Sequence, residues 1–305
     1  MLYDVTLAVR YAYNQSAAAA RMHLRMMPGS GPAQRLVSGL LEADPMPGFR
    51  RDRIDFFGNA LTEIAYDTPI DEVSFRFSGR IRRNELPQEL DLSCALSDMR
   101  RELAEVASLS SDAPHHFLGA SDRVVPVPSI TAFARGITRP DQPVLSVVQL
   151  ISRALHQEIT FDATATDVTT DPAEAFANRR GVCQDISHIM IAALRGIGVP
   201  AGYVSGFLRT EPPEGQPRLA GADAMHAWVR AWCGSEMGWI EIDPTNDMRV
   251  GADHISVAHG RDYADVAPVK GSLRSSGLHS TAHSVDVVPV TDRGPAESAG
   301  RSTTD

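Results

Sequence analysis

Residues 225–232 (MHAWVRAW) and 237–243 (MGWIEID) alternate in side-chain character, and only Cys233-Gly234-Ser235-Glu236 separates them. A period of two sends successive side chains to opposite faces, so the pattern demands two half-buried antiparallel strands rather than a helix. A four-residue connection containing glycine makes them a hairpin. His226, Trp228, Arg230 and Trp232 then share a face, as do Trp239, Glu241 and Asp243, with Ile240 and Ile242 opposite. If Trp232 and Met237 close the hairpin, Arg230 pairs with Trp239, Trp228 with Glu241, and His226 with Asp243. Directly opposed residues have Cβ atoms roughly 4.5–5.5 Å apart, close enough for a carboxylate to orient an imidazole. A slip of one residue would send His226 and Asp243 to opposite faces. Pro244 ends the second strand just after Asp243, at an end where a cleft can open.

The segment upstream is helical. Asp171-Pro172-Ala173-Glu174 supplies a capping carboxylate, a proline at the first helical position and a glutamate two residues after it, so a short helix runs to about Arg180, stopped by Gly181. A second helix begins at Cys183. Its apolar positions Ile186, Ile189, Met190, Ala193, Leu194 and Ile197 recur at helical spacing, and Cys183 shares their inward-facing side. Free N–H groups and the positive end of the helix dipole favour a thiolate at such a position. A small buried hydrophobe would serve there equally well. The His226–Asp243 hairpin separates the two readings, because a helix-start cysteine and a paired His–Asp set together form a Cys-His-Asp nucleophilic constellation.

Other residues carry weaker signals. The backbone amide of Cys183 or Gln184 is a candidate oxyanion donor, and Trp228, Trp239 and Tyr263 are candidates for lining a substrate cleft. Asp185 reads as a capping and packing residue, and His188 as a packing or hydrogen-bonding histidine on another helix face. Cys94 and Cys233 have no chemical neighbours in sequence. His115-His116 and the pair His279 and His283 lack a third ligand, so no metal site is expected.

The first third of the chain reads as β. Segments 3–11, 20–27, 60–66 and 72–82 alternate, with a turn at Asp55-Phe56-Phe57-Gly58-Asn59, as in a β-sandwich. Residues 116–128 read as a proline-punctuated linker, and Val144, Val147, Val148, Ile151 and Leu155 form a helical stripe beyond it. The expected division is a β-sandwich domain at 1–115, a linker at 116–128, an α+β core at 129–290 and a disordered tail at 291–305. A net charge of −9 is the wrong sign for binding a phosphate backbone, so nucleic acid is not an expected partner. No apolar run is long enough to cross a membrane, no signal-peptide pattern opens the chain, and three widely spaced cysteines make no disulfide framework, so a cytoplasmic protein is expected.

These residues also resemble a known family. Gly181-Val182-Cys183-Gln184-Asp185 and the run from Ala193 to Gly206 are similar to the core of the bacterial transglutaminase-like superfamily. His226-Ala227-Trp228-Val229 and Gly238-Trp239-Ile240-Glu241-Ile242-Asp243-Pro244-Thr245-Asn246 resemble its other two motifs, and the run from Gly260 to Pro268 resembles its bacterial branch. The N-terminal third, including Phe57-Gly58-Asn59, is similar to the β domain preceding that core. The resemblance implies a papain-like α+β core, a helix bearing Cys183 on an antiparallel sheet bearing His226 and Asp243. It implies acyl transfer through a thioester, with Cys183 as nucleophile, His226 as base and then acid, and Asp243 orienting it. The substrate would be a peptide or protein amide. Hydrolysis is the leading expectation; an amine acceptor, giving protein crosslinking, and a catalytically idle binding module are the alternatives. No cofactor is expected, and no calcium loop of the DxDxDG type occurs.

Overall fold

The computed structural model describes residues 1–84, 90–210, 223–275 and 277–290. The proline- and glycine-rich residues 211–221 and the tail expected at 291–305 lie outside the described residues. Five strands build the first third: β1 (Leu2–Leu24), β2 (Gln34–Asp44), β3 (Phe49–Ile54), β4 (Ala60–Tyr66) and β5 (Ile70–Arg83). The alternations read separately at 3–11 and 20–27 belong to one strand of 23 residues. Between them the register against β5 shifts between Ala12 and Ala17, and Ala19 takes a left-handed φ of 50°. Such irregularities bend a strand and let it pass from one sheet layer to another.

The first half of β1 pairs with β5, which carries β2 on its outer side; the second half pairs with β4, which carries β3. Tyr3, Val5, Leu7, Val9, Leu24, Phe75 and Phe77 share one buried core. This is the expected antiparallel β architecture, curled around a strand common to both halves. Only Gln34 and Leu41 of β2, and no residue of β3, are buried, so neither strand announces itself by alternation.

The rest of the chain runs α1 (Met99–Glu105), α2 (Pro128–Ile137), α3 (Val144–Glu158), β6 (Thr160–Phe161), α4 (Pro172–Asn178), β7 (Arg180–Gly181) and α5 (Cys183–Gly196). Then follow β8 (Ala201–Leu208), β9 (Ala224–Trp232), β10 (Trp239–Asp243), β11 (Met248–Arg249), β12 (His254–Gly260), α6 (Tyr263–Val266), β13 (Val269–Arg274) and β14 (His279–Pro289). Strands β11-β10-β9-β8-β12 form an antiparallel sheet in that order. Helix α5 joins one core with Tyr203, Ala227, Val229, Ala231, Ile240 and Ile242 of that sheet and with the α3 stripe, whose five predicted residues are all fully buried. Every α5 residue from Gln184 to Leu194 is buried, so the helix is enclosed on all sides rather than along one. Burial against the sheet accounts for the predicted stripe, and packing of α2, α3 and α4 accounts for the remainder.

Two expectations about boundaries need correction. The segment 116–128 does not span free space: Phe117, Val124 and Val127 are buried, and Arg195 donates to Gly119 O at 3.0 Å and Ser121 Oγ at 3.0 Å. Strands β13 and β14, inside the stretch assigned to the core, run back and pair with β1. Their partner is close in space but more than 240 residues away in sequence, which local pattern cannot reveal.

The β domain also grips the core. Strand β12 is the edge of the core sheet, and an edge needs partners for its free backbone groups. Gln34 Nε2 donates to Ser256 O at 2.8 Å while Ser256 N donates to Gln34 Oε1 at 3.0 Å. Asn59 repeats the arrangement on His259, donating at 2.8 Å and accepting at 2.9 Å. Asp55 holds Asn59 ready by accepting its N–H at 2.9 Å.

Candidate active site

The local sequence places Cys183 at a helix start. Asp171 Oδ1 accepts from Ala173 N at 2.7 Å and caps α4, which ends at Arg179 in a left-handed conformation with φ 52°. The stop is therefore Arg179, two residues before the predicted Gly181. Gly181 serves another purpose, since a Cβ there would lie 2.8 Å from Asp185 Oδ2. Asp185 reaches back to accept from Val182 N at 2.8 Å, the capping role read from sequence. Cys183 begins α5 and is half-buried, whereas Cys233 is fully buried; all three cysteines are free thiols. Burial pushes the Cys233 thiol up to about 12 and raises that of Cys94.

The hairpin forms with the predicted faces but a different register. Trp239 pairs with Trp232 and Glu241 with Arg230, two residues away from the expected pairing. Cys233 N donates to Gly238 O at 2.8 Å, so the turn closes one residue further along on each strand. Gly238 adopts φ 66°, a left-handed turn position that favours glycine. A slip of two preserves the face of every side chain. His226 and Asp243 become diagonal neighbours, and His226 Nε2 still lies 2.7 Å from Asp243 Oδ2.

The pair is held from several sides. Asp243 Oδ1 accepts from Thr245 N at 2.9 Å and Asn246 N at 3.3 Å, closing a turn across Pro244. Oδ2 accepts from Asn246 Nδ2 at 2.7 Å and faces His254 Nε2 at 3.1 Å in addition to His226. Burial would raise this carboxyl, but the hydrogen bonds from His226 and His254 hold it well below the usual carboxylate range. Burial likewise opposes a charged His226, yet hydrogen bonds with Asp243 and Cys183, and their charges, lift its imidazole to about 10. The Cys183 side chain is close enough to act on the His226 imidazole, which in turn contacts the Asp243 carboxylate.

The four lining candidates fare differently. Gln184 is buried and its Nε2 donates to Val168 O at 3.2 Å. Trp228 is 0% exposed and cannot line a cleft; it packs edge-on to His254 at 5.2 Å and donates to Glu241 Oε2 at 2.7 Å. Trp239 stands at the turn end of β10, four residues or about 13 Å along the strand from Asp243. There it lies under the Arg230 guanidinium at 3.9 Å and donates to Asp112 O at 3.0 Å. Alternation correctly gave both tryptophans a face, but which parts of that face are covered depends on non-local packing. Tyr263 is half-buried, 6.2 Å from the ring of Tyr203. Burial raises the Tyr203 phenol well above its ordinary range, with Cys183 and Tyr263 adding to the effect. His188 is buried and accepts Tyr263 N–H at 3.2 Å; burial brings its imidazole down to about 4.

His254 escaped sequence reasoning, although the alternation of Asp253-His254-Ile255-Ser256-Val257 marks a strand position. His226, Asp243 and His254 bring three potential ligand atoms within 4.8 Å of one another. A metal would need the Nε2 lone pair of His254. However, Gly251 N donates to its Nδ1 at 3.3 Å, which leaves the proton on Nε2, directed at Asp243. The arrangement suits a hydrogen-bonded carboxylate rather than an ion.

Residues 131–244 match the Transglutaminase-like superfamily, and residues 3–82 match the Bacterial transglutaminase-like N-terminal region. A Mycobacterium tuberculosis protein, itself uncharacterized, is 31% identical over 292 residues, 94% of this chain and 92% of its own. The chain belongs to the transglutaminase-like superfamily. A Mycobacterium leprae relative, also uncharacterized, is 29% identical over 286 residues, 91% of this chain and 94% of its own. A crystal structure from Cytophaga hutchinsonii, whose name proposes a cysteine protease, superposes with a TM-score of 0.71 at 17% identity, covering 95% of this chain and 92% of that one. The fold is therefore shared with that structure over nearly the whole length, with a transglutaminase-like core. No helix among the described residues is long and apolar enough to cross a membrane.

Proposed function

We propose that this transglutaminase-like protein is a thiol-dependent amide hydrolase acting on a peptide or protein carboxamide through Cys183, His226 and Asp243. The observation that carries the reading is the buried His226–Asp243 contact at 2.7 Å, with the partly exposed Cys183 thiol near enough to act on the same imidazole. His226 takes the Cys183 proton, and the thiolate attacks the carbonyl carbon. The oxyanion faces the helix start, where the first backbone N–H groups have no intrahelical acceptor. Collapse breaks the C–N bond as the imidazolium gives its proton to the departing amine or ammonia. Water, deprotonated by His226, then attacks the thioester, releasing the acid and regenerating the thiol. Asp243 keeps the ring oriented and its charged form stable throughout.

Iodoacetamide labelling followed by mass spectrometry tests the pair. Cys183 of the wild type should label faster than Cys94 or Cys233, and His226→Ala should slow it. Equal, slow labelling of all three cysteines, indifferent to His226, would sink the proposal. A glutamine-containing peptide incubated with and without a primary amine then distinguishes hydrolysis from crosslinking: ammonia release without amine incorporation is the expected result.

A further inference from the structure

Asp243 Oδ2 is shared. Besides His226 it faces a second imidazole, that of His254, at 3.1 Å, and His254 is 1% exposed. The tautomer is fixed from the far side of the ring by the Gly251 N–H. Asn246 completes the set, so the carboxylate cannot rotate without breaking contacts on both oxygens.

The β domain holds the segment that carries this histidine. Arg83, at the end of β5 and buried, donates to Gly251 O at 2.9 Å. Tyr3 Oη donates to Asp253 Oδ1 at 3.0 Å. Gln34 pairs both backbone groups of Ser256, and Ile255 lies in the β-domain core. Residues 251, 253, 255 and 256 are therefore all fastened to the N-terminal strands, with His254 in their midst.

We propose that His254 is a positioning residue, clamped by the β domain through β12, that fixes Asp243 for its hydrogen bond to His226. The assignment rests on the hydrolase reading given above and gives the β domain a part in it. His254 touches no reacting atom; it acts by donating Nε2–H to the carboxylate that orients the base. The titratable groups acting on this carboxylate are His226 on β9 and His254 on β12, with Cys183 acting in turn on His226, while Glu241 lies two residues earlier on β10, bonded to Trp228.

The test compares full-length wild type, His254→Met, His254→Gln and His226→Ala. Glutamine returns an N–H donor near the Nε2 position, whereas methionine fills the space without one. The readout is the rate of Cys183 carboxamidomethylation from pH 6 to pH 9.5, with thermal unfolding as a check on folding. His254→Met should slow labelling at pH 6 about tenfold, the scale of one hydrogen bond to a charged group, and leave the rate at pH 9.5 nearly unchanged. His254→Gln should recover most of the loss. A folded His254→Met with the wild-type profile, or a folded His254→Gln as impaired as His254→Met, would overturn the proposal.

Nitrogen-15 spectra of the wild-type imidazoles at pH 7 supply a measurement independent of mutant folding. The proton of His254 should sit on Nε2, and finding it on Nδ1 would equally overturn the proposal. Failure of the hydrolase reading looks different, because Cys183 of the wild type would then label slowly and without regard to His226.

Discussion

Asp243 divides its two oxygens between structure and chemistry. Oδ1 closes the turn after Pro244, and Oδ2 receives imidazole and amide donors. One side chain thus makes both the turn contacts and the contact with His226. Asp243→Asn would put an NH₂ group or a lone acceptor where several donors converge. Turnover should fall by on the order of 10⁴-fold, measured by ammonia release, as when a triad carboxylate becomes an amide. The histidine makes a separate prediction. Its pKa rises from 6.5 to about 10 on folding, so its contribution to stability is complete below 6.5 and is lost as pH rises through 10. The gap in Tm between wild type and His226→Gln should narrow steadily from pH 6.5 to pH 10. Asp243 has the opposite sign: its contribution is present above 3.8 and is lost as pH falls towards its depressed folded value.

At the scale of elements, α5 and β8 carry the tightest constraints. His188 on α5 and His259 on β12 are pushed from 6.5 down to about 4, mainly by burial. The unfolded chain therefore binds protons that the native state refuses, and stability falls between pH 6.5 and 4. His188→Gln keeps an acceptor for Tyr263 N–H, so the variant should lose less stability than wild type over that interval in pH-dependent thermal melts. Gly206 on β8 is set by close approach, for a Cβ there would lie 2.3 Å from Ile255 O and 2.4 Å from Trp228 Cη2. Backbone cannot yield as a side chain can. Gly206→Ala should destabilise by about 1–3 kcal/mol in denaturant unfolding, and it should also slow Cys183 labelling, because Trp228 packs on His254.

For the molecule as a whole, the two sequence-matched regions do not correspond to two separable bodies. Phe207, Ile255 and Val257 of the core sheet lie in the β-domain core, as do Val285 and Val287 of β14. A fragment covering residues 113–268 would expose the first three and leave the β12 edge without Gln34 and Asn59. It should aggregate or lack near-UV circular dichroism, whereas residues 1–290 should retain the wild-type melt. Truncation after residue 268 should be just as damaging, since β14 pairs with β1 from Tyr3 to Tyr13.

Sequence by itself determined the face on which each side chain of the β9–β10 hairpin lies, a helix start at or next to Cys183 and the α3 stripe. These follow from periods of 2 and 3.6 residues, which are local and survive a two-residue error in hairpin register. Only the tertiary structure decided which members of a face are covered, as Trp228 is, and which distant segments meet. His254 joins Asp243 through β12, and β14 returns to β1, by contacts among residues that no local periodicity links. Burial lowers both His226 and His188, and the two titrate in opposite directions because partners outweigh that cost at His226 and not at His188.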